Sequence, residues 1–114
     1  MTIFHIAHRA DWDTALVAGE YRVSSRGLTF DEVGFIHAAS ADQLGAVAEQ
    51  FYRDDPETLV VLELDDAALG TAVRWEDAGT GELFPHLYRA ITPGDVKAVL
   101  SAKFDGEGHF GLSS

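Results

Sequence analysis

The sequence predicts a single α+β domain, and its length and pattern of elements lead to this prediction. Its 114 residues are close to the usual size of one domain, and neither a repeat nor a linker interrupts them. Two short helical patterns occur near the N-terminus and a run of strand-like segments follows, which is the order typical of α+β domains. Alternation in the later segments favours a mixed, mostly antiparallel sheet. We expect the domain to span residues 1–103, with a loose tail over 104–114 that contains three glycines.

The first half of the chain predicts three strands and both helices. Thr2–His8 alternates with period two, so His5 shares a face with Ile3 and Ala7. The pattern predicts a helix over Asp11–Ala18, short strands over Tyr21–Ser24 and Phe35–Ala38, and a loop over 25–34. A second helix begins after Ser40, which forms a capping-box pattern with Gln43. Its apolar stripe consists of Leu44, Val47, Ala48 and Phe51.

The second half predicts four strands. They are Thr58–Asp65, Ala72–Glu76, His86–Ile91 and Val96–Ala102. The first of these is the most apolar, which indicates a buried central strand. A single helical turn is expected at Ala67–Leu69.

Composition and charge exclude several functions. The chain has no cysteine, so a disulfide framework, a thiolate metal site and a cysteine nucleophile are excluded. A formal net charge of −11 argues against a nucleic-acid partner, because nucleic-acid affinity depends largely on cationic side chains. The sequence lacks a signal peptide and an apolar run long enough to span a membrane. These features predict a cytoplasmic protein without membrane contact.

Three histidines are the candidate catalytic residues. His5, His37 and His86 lie on or beside short apolar strands, where an imidazole is an unusual core residue. They either meet at one ligand site or are separate structural side chains bonded to backbone. A metal hydrolase that uses the three rings is a further alternative, although the chain has no His-Glu-x-x-His motif and we assign no metal ligands.

Two polar segments supply the other candidates. Arg22, Ser24 and Arg26 lie in one arginine- and serine-rich stretch that would suit a phosphate. Tyr88 shares a strand face with His86, and Glu82 in the preceding turn would add a carboxylate.

Four segments resemble the bacterial family called domain of unknown function 952. They are Ile3-Phe4-His5-Ile6, Tyr21-Arg22 to Ser25, Gly34-Phe35-Ile36-His37-Ala38-Ala39-Ser40 and Gly81-Glu82-Leu83-Phe84-Pro85-His86-Leu87-Tyr88. The resemblance covers roughly residues 3–100. It implies a small domain distantly related to ADP-ribosyltransferase-like folds, which hold NAD in a cleft of a split sheet.

That distant relation implies roles for several residues. His5 would contact a ribose or phosphate of NAD, His37 or Ser40 would hold the nicotinamide ribose, and Glu82 or His86 would lie at the reacting centre. The chain lacks the Glu-x-Glu motif of many transferases. We therefore expect binding of NAD, ADP-ribose or a similar phosphorylated molecule, with ADP-ribosyl transfer or NAD glycohydrolysis as the activity such a site would carry. NAD would be a substrate rather than a resident cofactor, and the oligomeric state stays open. The alternative is a non-catalytic ligand-binding or protein-interaction module.

Overall fold

The computed structural model describes residues 1–77 and 79–113, and it is a mixed α+β fold with four short α-helices. The helices are α1 (Arg9–Ala18), α2 (Phe30–Val33), α3 (Ala41–Phe51) and α4 (Asp66–Leu69). The strands are β1 (Thr2–His8), β2 (Val23–Ser25), β3 (Leu28–Thr29), β4 (Ile36–His37), β5 (Ala39–Ser40), β6 (Leu59–Asp65), β7 (Val73–Asp77), β8 (Leu83–Leu87), β9 (Val96–Phe104) and β10 (Phe110–Ser113). No helix in the described ranges is long and apolar enough to cross a bilayer.

The strands form two main sheets and a hairpin, and all their pairings are antiparallel. The larger sheet has the order β10-β9-β6-β1-β5, the smaller has the order β4-β8-β7, and β2 pairs with β3. This arrangement confirms the prediction of a mostly antiparallel sheet. Only Ala38 separates β4 from β5, so the chain passes from the smaller sheet to the larger one within a single residue.

Each face of the larger sheet carries its own hydrophobic core. Ile3, Val60 and Leu62 pack on one face with Trp12 and Tyr21. On the other face, Ile6 and Val61 pack against Leu44 and Ala48 of α3. The period-two alternation of β1 therefore separates two cores, as its sequence pattern predicts.

Helix α3 begins where the sequence predicts, but its apolar stripe is not buried throughout. The Ser40 backbone N–H donates to Gln43 Oε1 at 3.1 Å, as expected for a capping box. Leu44 and Ala48 are buried, whereas Phe51 is exposed. Phe51 lies beside a cleft, whereas the neighbouring Ala48 and Tyr52 belong to the core.

Several predicted elements differ in the structure. The predicted loop over 25–34 contains β3 and α2, and the strand expected over Phe35–Ala38 is limited to Ile36–His37. The strand expected at His86–Ile91 is β8, which begins three residues earlier at Leu83 and ends at Leu87. Pro85 is tolerated inside it because its carbonyl accepts from Ala38, and its missing N–H faces the same side, where β4 has ended. Asp77 organises the turn before β8 by accepting from the backbone N–H groups of Gly79, Thr80 and Gly81.

The tail over 104–114 also differs from the expected loose segment. Phe110–Ser113 pair with β9 as an edge strand, and the rings of Phe104 and Phe110 contact each other with centroids 5.6 Å apart. Asp105 accepts from the backbone N–H of His109 and closes the connecting turn. Both rings pack against the core that lies on the α3 side of the larger sheet. Ser114 lies outside the described residues.

Candidate functional site

A cleft of about 680 Å³ lies where the two sheets separate. The short strand β5 pairs only with Ile3 and Phe4 of β1, so the edge of β1 is uncovered from His5 onward. The edge of β1, the strands β4 and β8, helix α3 and the β2–β3 hairpin surround the cleft. Its volume lies within the range of small-molecule sites.

His5 reaches this cleft but both of its ring nitrogens are occupied. The side chain is 2% exposed. Its Nδ1–H donates to the carbonyl of His37 at 2.6 Å, so Nε2 carries the lone pair and accepts from the Tyr21 hydroxyl at 2.8 Å. Burial lowers the pKa of His5 to about 4, which keeps the ring neutral. His5 therefore fixes the backbone of β4 beside the cleft.

His86 is buried in a different way, with one nitrogen bonded and one free. Its side chain is 7% exposed. Its Nδ1 donates to Glu76 Oε1 at 2.9 Å, and hydrogen bonds from His86 and Tyr88 lower the pKa of this carboxyl group. The Nε2 atom has no hydrogen-bond partner among the described residues. His86 Nε2 is thus a buried polar atom that no described residue satisfies.

His37 lies next to His86 at the cleft. The two ring centroids are 5.4 Å apart, and Phe35 stacks on His86 with centroids 4.1 Å apart. The Ser24 hydroxyl donates to the carbonyl of Phe35, so it accepts from His37 Nδ1–H at 3.1 Å. Partial burial and the neighbouring His86 lower the pKa of His37. His37 Nε2 is therefore the second imidazole lone pair at this site.

The sequence candidates divide into those that line the cleft and those that do not. The residues that line it are His5, Ser24, Arg26, His37, Glu82 and His86. Arg22 lies elsewhere and pairs with Asp31 and Glu20. Ser40 is the residue before α3. Tyr88 donates to Glu76 and so contacts His86 only through that carboxylate.

Two functional contacts were not predicted from the sequence, namely Glu76 to His86 and Tyr21 to His5. Glu76 lies diagonally across from His86, because β7 and β8 pair Arg74 with His86. That register depends on where β8 begins. The sequence pattern placed the start of this strand three residues too late. Tyr21 has no sequence signal that distinguishes it from an ordinary core aromatic.

A site of three histidines for a metal is not formed. Over residues 1–77 and 79–113 no group of three or more His, Asp, Glu or Cys side chains lies close enough to hold an ion. His5 has no free nitrogen to contribute. His5, His37 and His86 therefore do not form a common set of metal ligands in the described residues.

The fold and the site together define a small α+β domain with a histidine-lined cleft at a break between two antiparallel sheets. The chain belongs to the family described as "Protein of unknown function (DUF952)", whose model matches residues 6–100. This result confirms the family resemblance of the sequence.

The chain is similar to solved structures of the protein CC0527 from Caulobacter crescentus. Its crystal structure is similar to this chain with a TM-score of 0.85 and 30% identity over 97% of this chain and 94% of that one. Its solution NMR structure gives a TM-score of 0.79 and 31% identity over 95% and 90% of the two chains. Among curated proteins, no significant match to the chain exists.

Proposed function

We propose that the cleft binds a phosphorylated small molecule of the NAD or ADP-ribose type, and that His86 is the base that acts on it. The free Nε2 atom of His86 carries this proposal. A buried polar atom without a partner costs free energy, and such atoms are rare in folded proteins unless a ligand or water satisfies them. A ligand donor in the cleft would remove that cost.

The aromatic side chains that line the cleft support a ligand with a planar ring. Phe51, Tyr52 and Phe84 line the cleft together with His37 and His86. Aromatic rings stack favourably on other planar groups, such as a nicotinamide or an adenine. The choice of this ligand class rests on the relation to ADP-ribosyltransferase-like folds that the family resemblance implies.

The chemistry of NAD glycohydrolysis matches the groups available. In that reaction the bond between ribose C1′ and the nicotinamide nitrogen breaks, nicotinamide leaves with the bonding electrons, and water adds to C1′ with loss of one proton. His86 Nε2 would accept this proton, and Glu76 would stabilise the resulting imidazolium through Nδ1–H. With an acceptor hydroxyl in place of water, the same step is ADP-ribosyl transfer.

A carboxylate usually stabilises the positive charge that develops at C1′ in such reactions. Glu82 would take this role, since it is the acidic residue among those described along the cleft. Its Oε2 atom accepts from Gln43 at 3.0 Å, and the residue is exposed. Because Glu82 is bonded to Gln43 and exposed to solvent, it is poorly placed to stabilise a charge at C1′. Ligand binding without turnover is therefore the second candidate function.

Ligand-dependent thermal unfolding tests the proposal. NAD and ADP-ribose should each raise the unfolding temperature of the protein, because a ligand that binds only the folded state stabilises it. His86→Ala should abolish the shift or any release of nicotinamide measured by chromatography. The control is His109→Ala, which removes an exposed histidine of the C-terminal hairpin. Absence of a shift at millimolar concentrations of both ligands would reject the proposed ligand class.

A further inference from the structure

Arg26 is the cationic side chain of the cleft. No other Lys or Arg lines it in the parts of the chain that the structure describes. Its Nη1 donates to the carbonyl of Phe51 at 3.0 Å and to Asp54 Oδ1 at 2.7 Å, and its Nε lies 3.1 Å from Asp55 Oδ2. Its Nη2 has no acceptor among the described residues, so two N–H groups are available.

The two acidic partners of Arg26 differ in their environment. The Asp55 side chain is 2% exposed and also contacts His8, so this partner is fixed. The Asp54 side chain is 86% exposed. An exposed ion pair contributes little stability and exchanges readily. Asp55 therefore fixes the guanidinium group on its buried side, and one new anion can bind to it on the solvent side.

From this arrangement we infer that Arg26 binds one anionic group of the ligand, and that the cleft contacts only one phosphate. The inference rests on the proposed function. The other charged side chain along the described cleft is Glu82, and the net charge of the chain is −11. A second buried phosphate would have no cationic partner, which is costly. A nucleoside monophosphate should therefore bind at least as tightly as a dinucleotide that carries the same base.

Isothermal titration calorimetry with matched ligands tests this inference. The ligands are AMP, nicotinamide mononucleotide, NAD and the uncharged nucleoside adenosine. Arg26→Gln should weaken the monophosphates about tenfold or more, since charge-assisted hydrogen bonds are lost, and should leave adenosine unchanged. Asp54→Asn should tighten the monophosphates by removing a competing carboxylate without touching the buried anchor. Arg22→Gln is the control, because Arg22 lies outside the cleft.

The outcomes separate this inference from the proposed function. If the monophosphates bind the wild type but neither Arg26→Gln nor Asp54→Asn changes their affinity, the anion site is wrong and the proposed ligand class survives. If NAD binds tenfold more tightly than both monophosphates, the inference of a single phosphate contact is wrong and the proposed ligand class survives. If neither nucleotides nor adenosine bind the wild type, both proposals fail. Asp54→Asn gives a result even if Arg26→Gln disturbs the hairpin.

Discussion

His5 and His86 are both buried at the cleft, and they differ in how the surrounding protein satisfies their rings. His5 lies in the larger sheet, and both of its nitrogens have partners, the carbonyl of His37 from β4 of the smaller sheet and the Tyr21 hydroxyl. The region around His86 belongs to the smaller sheet, and only Nδ1 has a partner, Glu76. Burial alone therefore does not identify a functional histidine. The unsatisfied nitrogen distinguishes His86 from His5, because evolution of a stable core favours complete pairing.

Strand pairing is alike for the two histidines. β1 pairs along its full length with β6 and β8 with β7, and each strand is paired on its other side at only two residues. The difference comes from the neighbouring side chains, because the Tyr21 hydroxyl reaches His5 Nε2 and no described residue bonds to His86 Nε2.

The largest effect is expected from replacing His5. His5→Ala removes two hydrogen bonds, leaves the Tyr21 hydroxyl unpaired and opens a cavity. It should lower the free energy of unfolding by about 4 kcal/mol, measured by urea denaturation. The same substitution at the exposed His109 is the control and should change it little.

A loss smaller than about 1 kcal/mol for His5→Ala would contradict the structural role of His5. It would also remove the distinction between the two histidines. His86→Ala should destabilise the protein less than His5→Ala does, because it removes one hydrogen bond and one unsatisfied atom together.

The next effect is a pH dependence of stability that His5 causes. The folded pKa of about 4 is below the unfolded value of 6.5, so only the unfolded chain binds the proton between these values. Stability should therefore fall as the pH decreases from 6.5 to 4, by about 3 kcal/mol in all. Denaturant unfolding at a series of pH values measures the change.

His5→Gln supplies the comparison for this pH series, because other groups also titrate in the acid range. The difference in unfolding free energy between wild type and variant should shrink steadily from pH 7 to pH 4. A constant difference across that range would show that His5 has an ordinary pKa and is not sealed from water.

Glu76→Gln should have the smallest effect on stability, but it should act directly on the tautomer of His86. The amide can donate as well as accept, so it no longer requires a proton on His86 Nδ1. The midpoint of urea unfolding should hardly change, because the Glu76 side chain is 37% exposed. ¹⁵N NMR of the imidazoles should show one His86 tautomer in the wild type and a mixture in the variant.

Glu82→Gln is the matched control, since Glu82 contacts Gln43 and makes no hydrogen bond to a histidine in the described structure. It should leave the His86 tautomer as in the wild type. An identical spectrum for Glu76→Gln would mean that Glu76 does not fix the ring.

Local pattern was sufficient to predict the long elements. Strand β1 has the predicted bounds Thr2–His8, and β6 and α3 agree within about one residue at their N-termini. These elements bury a continuous apolar face, so their periodicity is strong. The predicted loop over 25–34 contains the short elements β3 and α2, which have too few residues to show a period.

The candidate site was predictable only in part. The placement of His5, His37 and His86 near apolar strands indicated the region of the cleft. Which of them keeps a free nitrogen depends on Tyr21, Ser24 and Glu76, which approach from other elements. Arg22 and Arg26 are four residues apart in sequence, yet only Arg26 reaches the cleft, because the β2–β3 hairpin places the two side chains against different partners.

The amino-acid sequence by itself determined the α+β class, the main elements and the family, because these follow from hydrophobic periodicity and residue identity along the chain. Tertiary structure alone decided that the sheet breaks at Ala38, that both nitrogens of His5 are bonded and that His86 Nε2 has no partner among the described residues. The physical reason is that hydrogen-bond satisfaction depends on strand register and on contacts between distant segments, such as Glu76 with His86. Local patterns do not encode these contacts.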